Sequence, residues 1–129
     1  FNLEERKLRT EGRRILGAPD LAIAATCVRV GTPRCHAMAI ELELHSGLDA
    51  ERARALLADR PGLALVEAPE ARLAANRDEI LVGRIRNPPD RPDNTGVLLF
   101  LAGDQLRKGA ALNAVQIMES LPEARARES

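Results

Sequence analysis

The densest group of chemically capable side chains runs from Cys27 to His36, Cys-Val-Arg-Val-Gly-Thr-Pro-Arg-Cys-His. It holds both cysteines, one of the two histidines and two arginines, with Gly31-Thr32-Pro33 bending the backbone in its middle. Arg29 offers a planar fork that matches a carboxylate. His36 exchanges protons near neutral pH. A strand, a bend and a second strand would carry the two to one rim of a sheet, a pair suited to an anionic substrate. The same spacing fits a histidine at the core edge and an arginine facing solvent, and spacing alone favours that structural reading.

Other groupings carry less. Cys35 beside His36 is not a nucleophile with its base, because neighbouring residues on a strand point to opposite faces. Cys27, inside an apolar run, reads as a small buried hydrophobe. Two cysteines and two histidines lack the Cys-x-x-Cys spacing of a zinc site, so no metal is expected. Glu4 and Lys7 share one face of a helix, and on spacing alone they are a solvated ion pair. Arg84 and Arg86 share a strand face, as an anion site or as exposed edge arginines. Gly103 to Asn113, Gly-Asp-Gln-Leu-Arg-Lys-Gly-Ala-Ala-Leu-Asn, puts small residues at a helix start, where backbone N–H groups can meet phosphate or amide groups. Its glycine spacing matches neither a dinucleotide fingerprint nor a P-loop.

The elements that position these groups follow from local pattern. Asn2 and Glu5 fit the N-cap and N3 positions of a capping box, opening a helix over 4–16 that Gly17 stops. Residues 21–30 are apolar on both parities, which predicts a central strand buried on both faces. His36 to Leu44 alternates cleanly and predicts a half-buried strand, with His36 at the end of its apolar face. Asp49 caps a second helix with Ala53, Leu56 and Leu57 inward, ended by Pro61-Gly62. Short strands are expected at 63–67, 80–86 and 97–102. Residues 68–79 and 87–96 read as loops. A final helix spans 106–121, and the polar tail after Pro122 is expected to fray. This mixture, without a regular βαβ rhythm, predicts an α+β fold: a mixed, largely antiparallel sheet covered by helices on one side.

Composition narrows the function. The 129 residues are 45% hydrophobic and 29% charged, the profile of a soluble globular domain. Only 2% are aromatic, so Leu, Val, Ile and Ala must build the core. The formal charge is zero and no basic patch stands out, which speaks against nucleic acid. The longest apolar run falls far short of the roughly 20 residues that span a bilayer, so no membrane partner is expected. Two cysteines outside any disulfide framework point to a reducing cytoplasm. A chain that opens at Phe1, on the approach to a helix and without an initiator Met, reads as a fragment of a longer polypeptide.

Four segments in order resemble aspartate-semialdehyde dehydrogenases. Leu3-Glu-Glu-Arg-Lys7 with Glu11 and Arg13–Leu16 is similar to the helix before that family's substrate segment. Thr26 to His36 resembles the substrate segment itself. Val82-Gly-Arg-Ile-Arg86 is similar to a late strand, and Asp104 to Ile117 to the closing helix. The resemblance covers nearly the whole chain. It implies an incomplete C-terminal domain of the glyceraldehyde-3-phosphate dehydrogenase type, over residues 1–129, serving substrate binding and dimerisation.

The resemblance also implies roles. Arg29 would hold the substrate α-carboxylate, and His36 would be the acid/base that takes the proton of a catalytic cysteine. Glu4 would meet the substrate amino group, Lys7 would bind inorganic phosphate, and Gln105 would contact the nicotinamide end of NADP. The implied reaction is reductive dephosphorylation of aspartyl phosphate to aspartate semialdehyde, in lysine, threonine and methionine biosynthesis, by a homodimer or homotetramer. The family's nucleophilic cysteine and its Rossmann domain lie outside this sequence, so these residues alone are expected to be inactive. Gly31-Thr32-Pro33 departs from the family's usual residues after the arginine. The competing readings are a non-catalytic homologue acting as a dimerisation or small-molecule-binding module, and a sensor domain.

Overall fold

The computed structural model describes residues 2–91 and 93–121. Its elements are α1 (Leu3–Ile15), β1 (His36–Glu43), α2 (Ala50–Leu57), β2 (Leu63–Leu65), α3 (Ala71–Ala74), β3 (Ile80–Arg86), β4 (Gly96–Gly103) and α4 (Leu112–Ser120), the last preceded by a wide π-type turn at Arg107–Ala111. The chain divides between Gly31 and Thr32 into two compact units.

The first unit is α1 and the segment that follows. The capping box is present as expected: the Asn2 side chain accepts from the Glu5 N–H, and the Glu5 carboxylate accepts from the Asn2 N–H. At the other end Gly17 adopts φ +63°, which lets its N–H reach the Arg14 carbonyl and the Ala18 N–H reach that of Arg13. That is the glycine-dependent stop the sequence calls for. Gly12 leaves the room expected beside the helix, and a Cβ there would lie 3.0 Å from Ile23 Cδ1. The strand expected over 21–30 does not form. A strand buried on both faces needs a neighbour along each edge, and among the described residues this unit offers side chains of α1 and its cap instead: Glu5 accepts from the Cys27 N–H, Asn2 Nδ2 donates to the Cys27 carbonyl, and Arg13 Nε donates to the Leu21 carbonyl. Val28 and Val30 are consequently exposed.

The second unit is a four-stranded open sheet in the order β1-β4-β3-β2. β1 with β4 and β4 with β3 are antiparallel, and β3 with β2 is parallel. The fold is thus the expected mixed, largely antiparallel α+β arrangement. One face of the sheet packs Val82, Ile85 and Val97 with Ala53 of α2, and Leu57 and Leu63 close around them. Leu81 and Ala102 point the other way, where they pack with Cys35 and with Ala74 of α3. Helix cover is therefore on both faces rather than one, the second patch coming from α3, inside a stretch that reads as loop. β1 lies at the sheet edge, and of its apolar stripe only Ile40 is half-buried; Met38 and Leu42 are exposed.

A bulge shapes β3. Gly83 pairs with Phe100 and Arg86 with Leu98, so three steps on β3 oppose two on β4. Arg84, at φ +55°, takes up the extra residue. Strict alternation from Val82 would send Arg84 and Arg86 into the core. The bulge instead turns Ile85 inward beside Val82 and leaves both arginines exposed, lining one shallow depression with Glu41, Leu98 and Phe100. The expected final helix is also interrupted: Ala110 leaves helical geometry at φ −147°, ψ −107°. The tail from Pro122 lies outside the described residues.

Candidate functional site

The five candidate residues fall into two groups. Glu4, Lys7 and Arg29 belong to the first unit, His36 and Gln105 to the second.

In the first unit Glu4 and Lys7 face solvent one turn apart, with Lys7 Nζ 3.2 Å from Glu4 Oε1 and side chains about half exposed or more. Such a pair contributes little to stability, so both charges stand ready for another partner. Arg29 is exposed, with no side-chain partner among the described residues. The backbone leading to it is anchored at Cys27. The Cys27 N–H donates to Glu5 Oε1 at 3.0 Å, and its carbonyl accepts from Asn2 Nδ2 at 3.3 Å. The cap of α1 therefore does two tasks, starting the helix and holding the segment two residues before Arg29. The two backbone N–H groups, of Cys27 and then Asn2, hold the Glu5 carboxyl below its ordinary range.

In the second unit His36 is the first residue of β1, exposed, opposite Gly103 at the far end of β4. Gln105 follows β4 by two residues, so the ladder brings the two neighbourhoods together. The Gln105 Oε1 accepts the backbone N–H of Cys35 at 2.6 Å. Because that partner is a donor, the oxygen must face it, and the amide nitrogen is left without a protein partner among the described residues. Cys35 itself is buried and holds φ +78°, an uncommon conformation for a residue with a side chain. Burial, and then the nearby Asp104 charge, push its thiol above the ordinary value. It is a protonated thiol packed on Ala74, Leu81 and Ala102, poorly disposed to act as a nucleophile.

Asp104 is the feature that sequence patterns miss. It is fully buried, yet both carboxylate oxygens are satisfied. Oδ1 accepts the Leu106 N–H at 3.0 Å; Oδ2 accepts the Asn76 N–H at 2.8 Å and lies 2.6 Å from an Arg34 guanidinium nitrogen. The guanidinium, against the cost of burial and with help from the two N–H groups, holds the carboxyl down to about 2. The only local signal is an aspartate between a strand-ending glycine and a helix start; its main partner is 70 positions away. Among the described residues no cluster of three or more metal-ligating side chains occurs, and no helix is long and apolar enough to cross a membrane.

Comparison with known proteins gives one consistent answer. The family model described as the semialdehyde dehydrogenase dimerisation domain matches residues 2–108. An aspartate-semialdehyde dehydrogenase of Mycolicibacterium smegmatis is 48% identical over 92% of this chain and 34% of its own length. One from Synechocystis is 46% identical over 93% of the chain and 37% of its length. The chain thus spans about a third of the curated relatives it matches. A crystal structure of aspartate semialdehyde dehydrogenase II from Vibrio cholerae, complexed with ASA, superposes with TM-score 0.85 at 36% identity, over 92% of this chain and 36% of that one. The fold, the ordered motifs and a family match over most of its length agree: the chain belongs to the semialdehyde dehydrogenase dimerisation-domain family.

Proposed function

We propose that this chain is the C-terminal, substrate-binding and subunit-pairing part of an aspartate-semialdehyde dehydrogenase, which interconverts aspartyl phosphate and aspartate semialdehyde with NADP. The observation that carries the reading is the 48% identity to such an enzyme along 92% of the chain; the motif resemblance assigns the roles of Glu4, Lys7, Arg29, His36 and Gln105. A non-catalytic homologue would have little reason to keep all five.

Each residue has a task its environment suits. The Arg29 guanidinium, uncommitted and presented by the anchored Cys27 segment, clamps the substrate carboxylate through paired N–H donors. Glu4 accepts from the substrate amino group, and Lys7 meets phosphate as a compact cation. His36, open to solvent at the head of β1, takes and returns the proton of the nucleophilic thiol, which another part of the enzyme supplies. NADP, when bound, supplies the hydride exchange. Gln105 fits a carboxamide partner: its oxygen is committed to Cys35 and its NH2 group remains to donate. The enzyme is a homodimer or homotetramer, and it works in the cytoplasm, which suits two free cysteines.

Kinetics of two variants in the full-length enzyme test the assignment. Arg29→Lys keeps the charge but loses the fork, and should weaken substrate binding by about 1.5–3 kcal/mol. His36→Asn keeps a polar group without a mobile proton, and should lower turnover by roughly 10²–10⁴-fold with little change in affinity. If both residues are only structural, each variant loses melting temperature while its folded fraction keeps normal kinetics. Near-normal turnover for His36→Asn would sink the assignment.

A further inference from the structure

We propose that Asp104, acting through Arg34 and the turn at Cys35, is a positioning residue that fixes His36 relative to Gln105. The inference rests on the reading of His36 as acid/base. His36 starts an edge strand, so its place depends on the residues just before it. The residue immediately before, Cys35, sits in the left-handed region at φ +78°. A conformation that L-residues avoid persists only where surrounding contacts hold it. Here they come from three directions: the Gln105 amide on the Cys35 N–H, the packing of the Cys35 side chain on Leu81 and Ala102, and the Arg34–Asp104 ion pair one residue earlier.

Asp104 is the common node. Its two oxygens tie the approach to β1 through Arg34, the end of α3 through the Asn76 N–H, and the turn carrying Gln105 through the Leu106 N–H. The Asn76 N–H donates this contact from a left-handed turn at φ +64°, so a second turn is tied to the same carboxylate. The proposed proton carrier and the proposed nicotinamide contact sit on separate segments, each one residue or two from this carboxylate or its arginine. A small relaxation of the node moves one against the other, and misplacement of reacting groups by an ångström costs turnover steeply.

The test uses the full-length enzyme and four variants. Asp104→Asn keeps the shape, removes the charge and turns one acceptor into a donor. It should lower kcat about 10- to 100-fold with little change in KM for the semialdehyde. Arg34→Met should do the same, and Arg34→Lys, which still offers a cation, should recover most of the loss. In a His36→Asn background, adding Asp104→Asn should cost less than about threefold more, because a positioning residue has nothing left to position. If the two losses instead multiply fully while His36→Asn alone is severely impaired, Asp104 is merely structural and the proposal falls, with the acid/base reading intact. If His36→Asn alone turns over normally, the acid/base reading falls and takes the proposal with it. Should Asp104→Asn fail to fold, Arg34→Met, whose side chain is partly exposed, carries the same double-variant comparison.

Discussion

Replacing Gly83 by alanine probes the joint that sets up the β3 bulge. A Cβ there would lie 2.2 Å from the Val66 carbonyl oxygen, 2.7 Å from Pro69 Cδ and 3.0 Å from the Glu67 carbonyl oxygen. Ordinary carbon–oxygen contacts begin near ~3.3 Å, so the chain leaving β2 must retreat by about an ångström. Two backbone hydrogen bonds cross that seam, from the Val66 N–H to the Val82 carbonyl at 2.9 Å and from the Arg84 N–H to the Glu67 carbonyl at 3.3 Å. Weakening both, with the overpacking strain, should cost about 2–4 kcal/mol. At about 1.5–3 °C per kcal/mol for a full-length chain some three times this size, melting should fall by roughly 3–12 °C. Gly103→Ala is the matched comparison. Its Cβ would meet Ile80 Cδ1 at 2.3 Å, but that atom ends a flexible side chain, and the cost should stay below about 1.5 kcal/mol. Thermal melts of the two variants in the full-length enzyme decide the matter. A Gly83→Ala protein that melts within a degree or two of the parent, or no lower than Gly103→Ala, would show that the seam at Gly83 tolerates a Cβ.

Acid should destabilise the fold in a defined window. Asp104 has a folded value of about 2 against an ordinary 3.8, so its contribution is complete above 3.8 and is lost as pH falls from there through 2. Glu5, also lowered, adds in the same direction. A melting-temperature titration should show this decline, and Asp104→Asn should flatten it; unchanged acid sensitivity in that variant would contradict the assignment. The full-length protein should sediment as a dimer or tetramer at micromolar concentration, since the edge strand β1 exposes Met38 and Leu42 and the depression beside it exposes Arg84 and Arg86. A monomer in sedimentation velocity at that concentration would count against subunit pairing by this part of the enzyme.

Where local chemistry decides the backbone, the sequence was readable. Asn2 with Glu5 and Gly17 bound α1 because capping and left-handed geometry are properties of neighbouring residues. The period-two pattern from His36 placed β1 for the same reason. Residues 21–30 misled because apolarity on both parities says that cover is needed, not that a hydrogen-bonding neighbour exists in the same unit. Alternation also failed at Arg84, where the choice between burying two arginines and burying Ile85 is settled by a bulge that no single residue type announces. The role of Gln105 came only from the family resemblance, and the buried ion pair of Asp104 was not foreseen, although both lie in the Gly103–Asn113 stretch. The carboxylate's partners Arg34 and Asn76 are remote in sequence and meet it only once the strands have paired.

Replacement tests most directly whether this chain is part of an aspartate-semialdehyde dehydrogenase. Joining this chain in place of the matching C-terminal third of the Mycolicibacterium smegmatis aspartate-semialdehyde dehydrogenase, and following nucleotide reduction with aspartate semialdehyde, phosphate and NADP, asks whether these residues complete a working site. The chimera should turn over, and His36→Asn should lower that turnover by roughly 10²–10⁴-fold. A chimera that folds, binds NADP and does not turn over would contradict that assignment.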